Sequence, residues 1–182
     1  MERAETLNRT KIEYLTHTWN PTVGCSGEHC AVRLHCWARI MAKRQKNHCE
    51  LCYKFIPHIH KERLIEPLKR KKHARIGVSF MGDLFDRVFT PDDRLLILGT
   101  IFEAKQHTFL ILTKQPQNIL YRSVFPNNLW MGVTVNRKDD LWRIDELLER
   151  ASGTIRFVSF EPLYEDLGLV DLEGIEWILS LI

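Results

Sequence analysis

The sequence has no apolar run near the roughly 18 residues that a membrane-spanning helix needs. Its opening stretch, MERAETLNRTKIEY, lacks the apolar centre of a signal peptide. It has no excess of one charge: 182 residues sum to a formal net charge of +3, too little by itself to argue nucleic-acid binding. It has no low-complexity segment and no obvious linker, so residues 1–182 read as one domain with one sizeable core. No membrane association is expected. A cytoplasmic location follows, where thiols stay reduced and disulfides are rare. The most informative absence is of cysteine itself, which does not occur after Cys52.

All five cysteines lie between Cys25 and Cys52. An odd number packed into one segment of a cytosolic chain reads as metal binding before it reads as a disulfide framework. Buried structural thiols would be spread along the chain. Cys25, Cys30 and Cys36 are spaced C-x4-C-x5-C inside a cysteine-rich loop of about residues 19–56. A helix is expected from near Cys36 through Trp37, Ile40 and Met41. Three thiolates suit an iron–sulfur cluster that keeps one iron open to an outside ligand. Cys49 and Cys52 follow in HCELC, a C-x2-C pair fit to clasp one soft metal. Two assignments compete. The first three thiols hold a cluster and the last two form an auxiliary pair. Alternatively, four thiolates, or three with His48, make a zinc site.

Short apolar runs rich in Val, Ile, Phe and Trp recur at Arg75–Phe80, Thr108–Leu112, Leu129–Val133, Ile155–Ser159 and Glu176–Leu181. They read as buried strands of a parallel sheet, with Ile12–Leu15 as an earlier candidate. Between them, Asp92–Lys105 follows Pro91 with acids suited to a helix N-terminus. Asp139–Arg150 places Leu141, Ile144, Leu147 and Leu148 on one helical face. His60–Lys72 carries a basic run that suits a helix C-terminus. Alternation of strand and helix predicts an α/β fold with a parallel sheet.

Each strand candidate is followed at once by polar residues: Asp83, Lys114, Asn136 and Glu161. In parallel α/β folds the C-terminal strand ends carry the ligand, so these four are expected to converge as a cofactor-binding set. As single residues, each is equally well a helix cap or a loop residue.

Six ordered blocks, WNPTVGC with its downstream Cys36-Trp37-Ala38, HKERLIEPLK, SFMGDLFD, HTFLILTKQP, NLWMGVTV and IRFVSFEPL, span nearly the whole chain. On them the sequence resembles the phage- and prophage-associated three-cysteine-motif family of unknown function, related to radical S-adenosylmethionine proteins. The resemblance implies a partial (β/α) barrel with an N-terminal cysteine-rich metal-binding loop after the first strand. It also implies a 4Fe-4S cluster on Cys25, Cys30 and Cys36 whose open iron chelates S-adenosylmethionine and cleaves it reductively. Lys114 would pair with the cofactor carboxylate, and Asp83 or Glu161 would accept from its ribose. The usual C-x3-C-x2-C signature of radical enzymes is absent. Relatives continue past the last strand, so a C-terminally shortened chain is expected.

Two other function classes fit the residues. One is a zinc-stabilised nucleic-acid-binding module using Lys69–Lys72 with Arg63, His73 and Arg75. The other is a scaffold without catalysis that serves a protein partner. The sequence does not specify a substrate.

Overall fold

Runs that are apolar on both faces form strands covered from both sides. The computed structural model describes residues 7–28, 30–120 and 123–180 and aligns such runs side by side. The chain enters through Asn8–Arg9 (β1), paired antiparallel with His17–Trp19 (β2). Thr22–Val23 (β3) and His58–Ile59 (β4) then pair antiparallel and bracket the cysteine segment. Arg75–Val78 (β5) and Thr108–Thr113 (β6) follow. A short Ser123–Val124 (β7) precedes Leu129–Thr134 (β8), and Ala151–Ser152 (β9) precedes Ile155–Ser159 (β10). Trp177–Leu179 (β11) ends the sheet.

The main sheet runs β1-β2-β5-β6-β8-β10-β11, parallel from β2 onward. Strand order follows chain order, with no switch point of the doubly wound kind. Crossovers of one hand, all stepping the same way, put the connecting helices on one face. The result is a mixed α/β fold on a mostly parallel central sheet, and the pairing does not close into a barrel among the described residues.

Alternation along the strands sorts side chains to two faces. Phe109, Ile111, Met131, Val133 and Val158 pack with Ile97 and Ile101 of Pro91–Glu103 and with Ile144 and Leu147 of Trp142–Arg150. On the other face Leu110 and Phe157 pack with Leu15, Leu179, Trp130 and Trp177. Loops rather than a helix cover that second face. Toward the strand C-termini it opens into a cavity.

Three expectations are corrected. Ile12–Leu15 is a turn, closed by Leu15 N–H donating to the Ile12 carbonyl at 3.0 Å, and the first parallel strand is β2. Its apolar residues roof the second face, where Leu15 Cδ1 lies over Gly77. His60–Lys72 is not one helix. Pro67 has no N–H to donate and its ring would clash with the carbonyl four residues back. The segment therefore splits into a 3-10 turn, Lys61–Arg63, and a short helix, Glu66–Lys69. The freed Arg63 carbonyl accepts from Trp19 Nε1 at 2.9 Å. The basic residues after Lys69 form an exposed loop ahead of β5, at the opposite end of the sheet from the cavity. The last strand covers only three of the six expected residues, and Leu181 lies outside the described residues. No helix among the described residues is long and apolar enough to cross a membrane.

Candidate functional site

The strand ends acquire their chemistry where two glycines meet. Gly24 and Gly82 form a parallel bridge, and Gly24 N–H donates to the Met81 carbonyl at 2.9 Å. A Cβ on Gly82 would sit 2.4 Å from the Gly24 carbonyl oxygen. Gly24 itself holds φ +83°, a conformation open chiefly to glycine. This close crossing brings Cys25 next to Asp83.

Asp83 is buried, and both carboxylate oxygens are in use. Thr113 Oγ1 donates to one at 2.7 Å, Phe85 N–H to the same oxygen at 3.0 Å, and Lys114 N–H to the other at 2.8 Å. Burial pushes its carboxyl above the usual range, opposed by these bonds and by the Lys114 charge. Asp86, three residues on, has no exposed surface. One of its oxygens accepts from Ser26 N–H at 2.8 Å, Ser26 Oγ at 2.7 Å and Gln115 Nε2 at 2.8 Å. It thereby ties the cysteine loop to the end of β6.

These groups border a cavity of about 830 Å³. Cys25, Cys30 and Cys36 line it, and so do Asp83, Lys114 and Glu161. Its apolar walls are Phe55, Phe80, Met81 and Leu112. The expected helix is present: Cys36 caps Trp37–Ala42, and Met41 reaches the cavity. Burial first, then the Asp83 carboxylate, push the Cys25 thiol up to about 12. Burial and the Glu161 carboxylate do the same to Tyr14 at the far wall, also to about 12.

Asn136 does not join this set. It is fully buried and donates from Nδ2 to the Pro162 carbonyl at 2.6 Å, while its own N–H donates to Asp140 at 3.1 Å. It shapes the turn after β10 instead of facing the cavity, because the chain after β8 turns straight into the Lys138–Asp140 3-10 turn. Beneath that turn Arg143 is fully buried, pairs with Asp140 at 2.8 Å and donates to the Thr134 carbonyl at 2.6 Å.

A second cluster lies in the segment between β3 and β5. Cys49 caps Glu50–Lys54, the helix that contains Cys52, and His58 and His60 flank Ile59. One ligand atom from each of Cys49, Cys52, His58 and His60 lies within 4.8 Å of all the others, an arrangement able to hold a metal ion. His48, considered with the thiols from sequence, is not part of it. Burial pushes the Cys52 thiol up to about 11 and holds the His60 imidazole below its ordinary value. The two histidines went unread because H-x-H falls six residues past the C-x2-C pair, outside any spacing that the thiols alone suggest. Cys25, Cys30 and Cys36 do not come together at single-ion range.

A family model described as "Protein of unknown function (DUF5131)" matches residues 9–180. The chain belongs to the DUF5131 family. Its description gives no activity, substrate or cofactor. No curated protein and no solved structure matches this DUF5131 chain.

Proposed function

We propose that this protein binds an iron–sulfur cluster through Cys25, Cys30 and Cys36 and S-adenosylmethionine in the adjoining cavity, as a radical S-adenosylmethionine-like enzyme. One observation carries the reading: three thiols, two lysines (Lys11, Lys114) and four carboxylates (Glu28, Asp83, Asp86, Glu161) share the lining of one cavity at the C-terminal strand ends. Its volume of about 830 Å³ lies in the range of small-molecule and cofactor sites.

The donor set suits the group. A cluster gives each thiolate its own iron, so its cysteines surround a cavity instead of meeting at one ion. Three soft thiolates leave one iron for an outside ligand. A bound cluster would supply the electron that reduces a sulfonium cofactor. The chain's own part is positional. The Lys114 cation would orient the cofactor carboxylate, and Glu161 would accept from the ribose. Asp83 is already satisfied by three donors, so it acts as the support that fixes Lys114. The apolar walls exclude water. The reducing cytoplasm would keep all five cysteines available, and each is a free thiol.

Anaerobic reconstitution tests this. The parent is expected to take up iron and sulfide and turn brown, and replacement of Cys25, Cys30 and Cys36 by Ala to abolish that colour. Lys114→Ala is expected to keep the cluster and bind S-adenosylmethionine about tenfold more weakly, the loss of one charge-assisted contact. A triple variant that binds iron and sulfide as well as the parent overturns the assignment.

A further inference from the structure

We propose that Cys49, Cys52, His58 and His60 bind a single zinc ion as a closed structural site. This site is separate from the cavity and holds the segment that forms its outer wall.

The argument begins with the histidines. His58 Nδ1 lies 2.7 Å from the Ile56 carbonyl oxygen, and His60 Nδ1 lies 2.6 Å from Glu62 Oε1. Both oxygens can only accept, so each Nδ1 carries a proton, and in the neutral rings each Nε2 then presents a lone pair. The two Nε2 atoms nevertheless face one another at 2.9 Å. Two lone pairs at that distance repel unless a cation lies between them. An oxygen acceptor on the far nitrogen is also the usual support of a metal-bound imidazole.

The sulfurs complete the set. Cys52 Sγ is 3.1 Å from His60 Nε2 and 3.5 Å from His58 Nε2, and Cys49 Sγ is 3.7 Å from His58 Nε2. Cys52 N–H points at Cys49 Sγ from 3.4 Å, a contact that favours a thiolate. A tetrahedral ion with bonds of about 2.3 Å to sulfur and about 2.0–2.1 Å to nitrogen separates its ligand atoms by roughly 3.3–3.8 Å. The two longer contacts, 3.5 and 3.7 Å, fall in that range, and the two shorter, 2.9 and 3.1 Å, lie a few tenths of an ångström inside it. A two-iron cluster would put the thiolate pair and the imidazole pair on different irons. Here the closest sulfur–nitrogen contact joins the two pairs, so one ion is indicated. Two nitrogens and two sulfurs fill a tetrahedron with no open position, which is the pattern of structural zinc.

The site's place in the fold gives it a task. His58 lies on β4, whose partner β3 leads directly into Gly24 and Cys25. The backbone of Ile56 and Pro57 abuts Gly24, and Phe55 lines the cavity. Zinc would staple these short helices and two-residue strands into one body and fix the wall against which the first cysteine sits.

The test uses the full chain, purified without added metal and analysed for zinc by mass spectrometry. About one zinc per chain is expected. The Cys25/Cys30/Cys36→Ala variant is expected to keep it, and Cys49→Ser with Cys52→Ser to lose it about tenfold or more. Glu62→Gln, which disturbs only the support of His60, is expected to weaken zinc binding about 10–100-fold. Should the double serine variant fail to fold, cobalt(II) added to the metal-stripped parent gives an independent readout. The intense visible bands of tetrahedral cobalt and a thiolate charge-transfer band are expected, both erased by zinc. A parent with neither zinc nor a tetrahedral cobalt spectrum overturns the site. So does a folded double variant that retains zinc, or one that loses iron and sulfide in its place. Loss of iron in the triple variant bears on the cavity alone, so the two readings fail separately.

Discussion

Asp86 is the residue on which the cavity's geometry most depends. It is fully buried, and its carboxylate collects Ser26 N–H, Ser26 Oγ, Gln115 Nε2 and Val88 N–H. Replacement by Ala leaves buried donors without acceptors, each costing about 1–3 kcal/mol. Asp86→Ala is expected to lower stability by about 3 kcal/mol in urea unfolding. A loss under about 0.5 kcal/mol would show that the clamp is not formed. In the sequence Asp86 is only the second acid of DLFD, and nothing distinguishes it from a surface charge. Arg143 was hidden in the same way. With Asp140 at i,i+3 it reads as an exposed helix pair, yet its side chain has no solvent access. Burial depends on what packs over a position, and local spacing does not carry that.

At the scale of elements, legibility followed length and caps. Pro91–Glu103 was readable from Pro91 and the acids after it, and in the fold Thr90 and Asp93 add a reciprocal capping box. β6, β8 and β10 were readable as apolar runs. The segment that carries the Cys49–His60 cluster was not, because its pieces are two-residue strands and a five-residue helix whose order comes from tertiary pairing. The Gly24–Gly82 crossing belongs to this scale, since it joins β3's end to β5's. Gly82→Ala places a methyl 2.4 Å from a backbone oxygen, a contact that no rotamer can relieve. It is expected to cost about 1–3 kcal/mol and to lower the melting temperature. It should also reduce cluster uptake, because Cys25 must move with Gly24. Unchanged melting and unchanged iron content together would refute the role given to this crossing.

At the scale of the whole molecule, acid sensitivity has a definable source at the other end of the sheet. His107 is buried, lies 3.0 Å from the Pro67 carbonyl through Nε2, and faces the Arg70 guanidinium and the His73 ring. Burial, then Arg70, hold its pKa below the ordinary imidazole value. His17, also buried, is lowered by burial and by Arg70, Arg9 and His107. Each stays neutral in the fold and takes a proton more readily when unfolded. The stability they contribute is therefore present above the unfolded value of about 6.5 and is lost as pH falls below it. Denaturant unfolding on either side of about pH 6.5 is expected to show the parent weaker on the acid side. His107→Gln should narrow that difference, and an equal pH dependence in parent and variant would rule the histidine out as its source.

By itself the sequence determined the α/β class, the apolar runs that form the parallel strands, and the crowding of every thiol into one early segment. Those properties are periodic or compositional, and each is set by residues near one another in the chain. Tertiary structure alone decided the rest. It placed Asn136 in a buried turn and set Asp83 at the cavity wall, where its carboxylate accepts from Lys114 N–H. It also drew His58 and His60 onto Cys49 and Cys52. The physical reason is the same throughout. A side chain's task depends on which donors, acceptors and apolar groups arrive from distant parts of the chain, and strand pairing and close packing fix those arrivals.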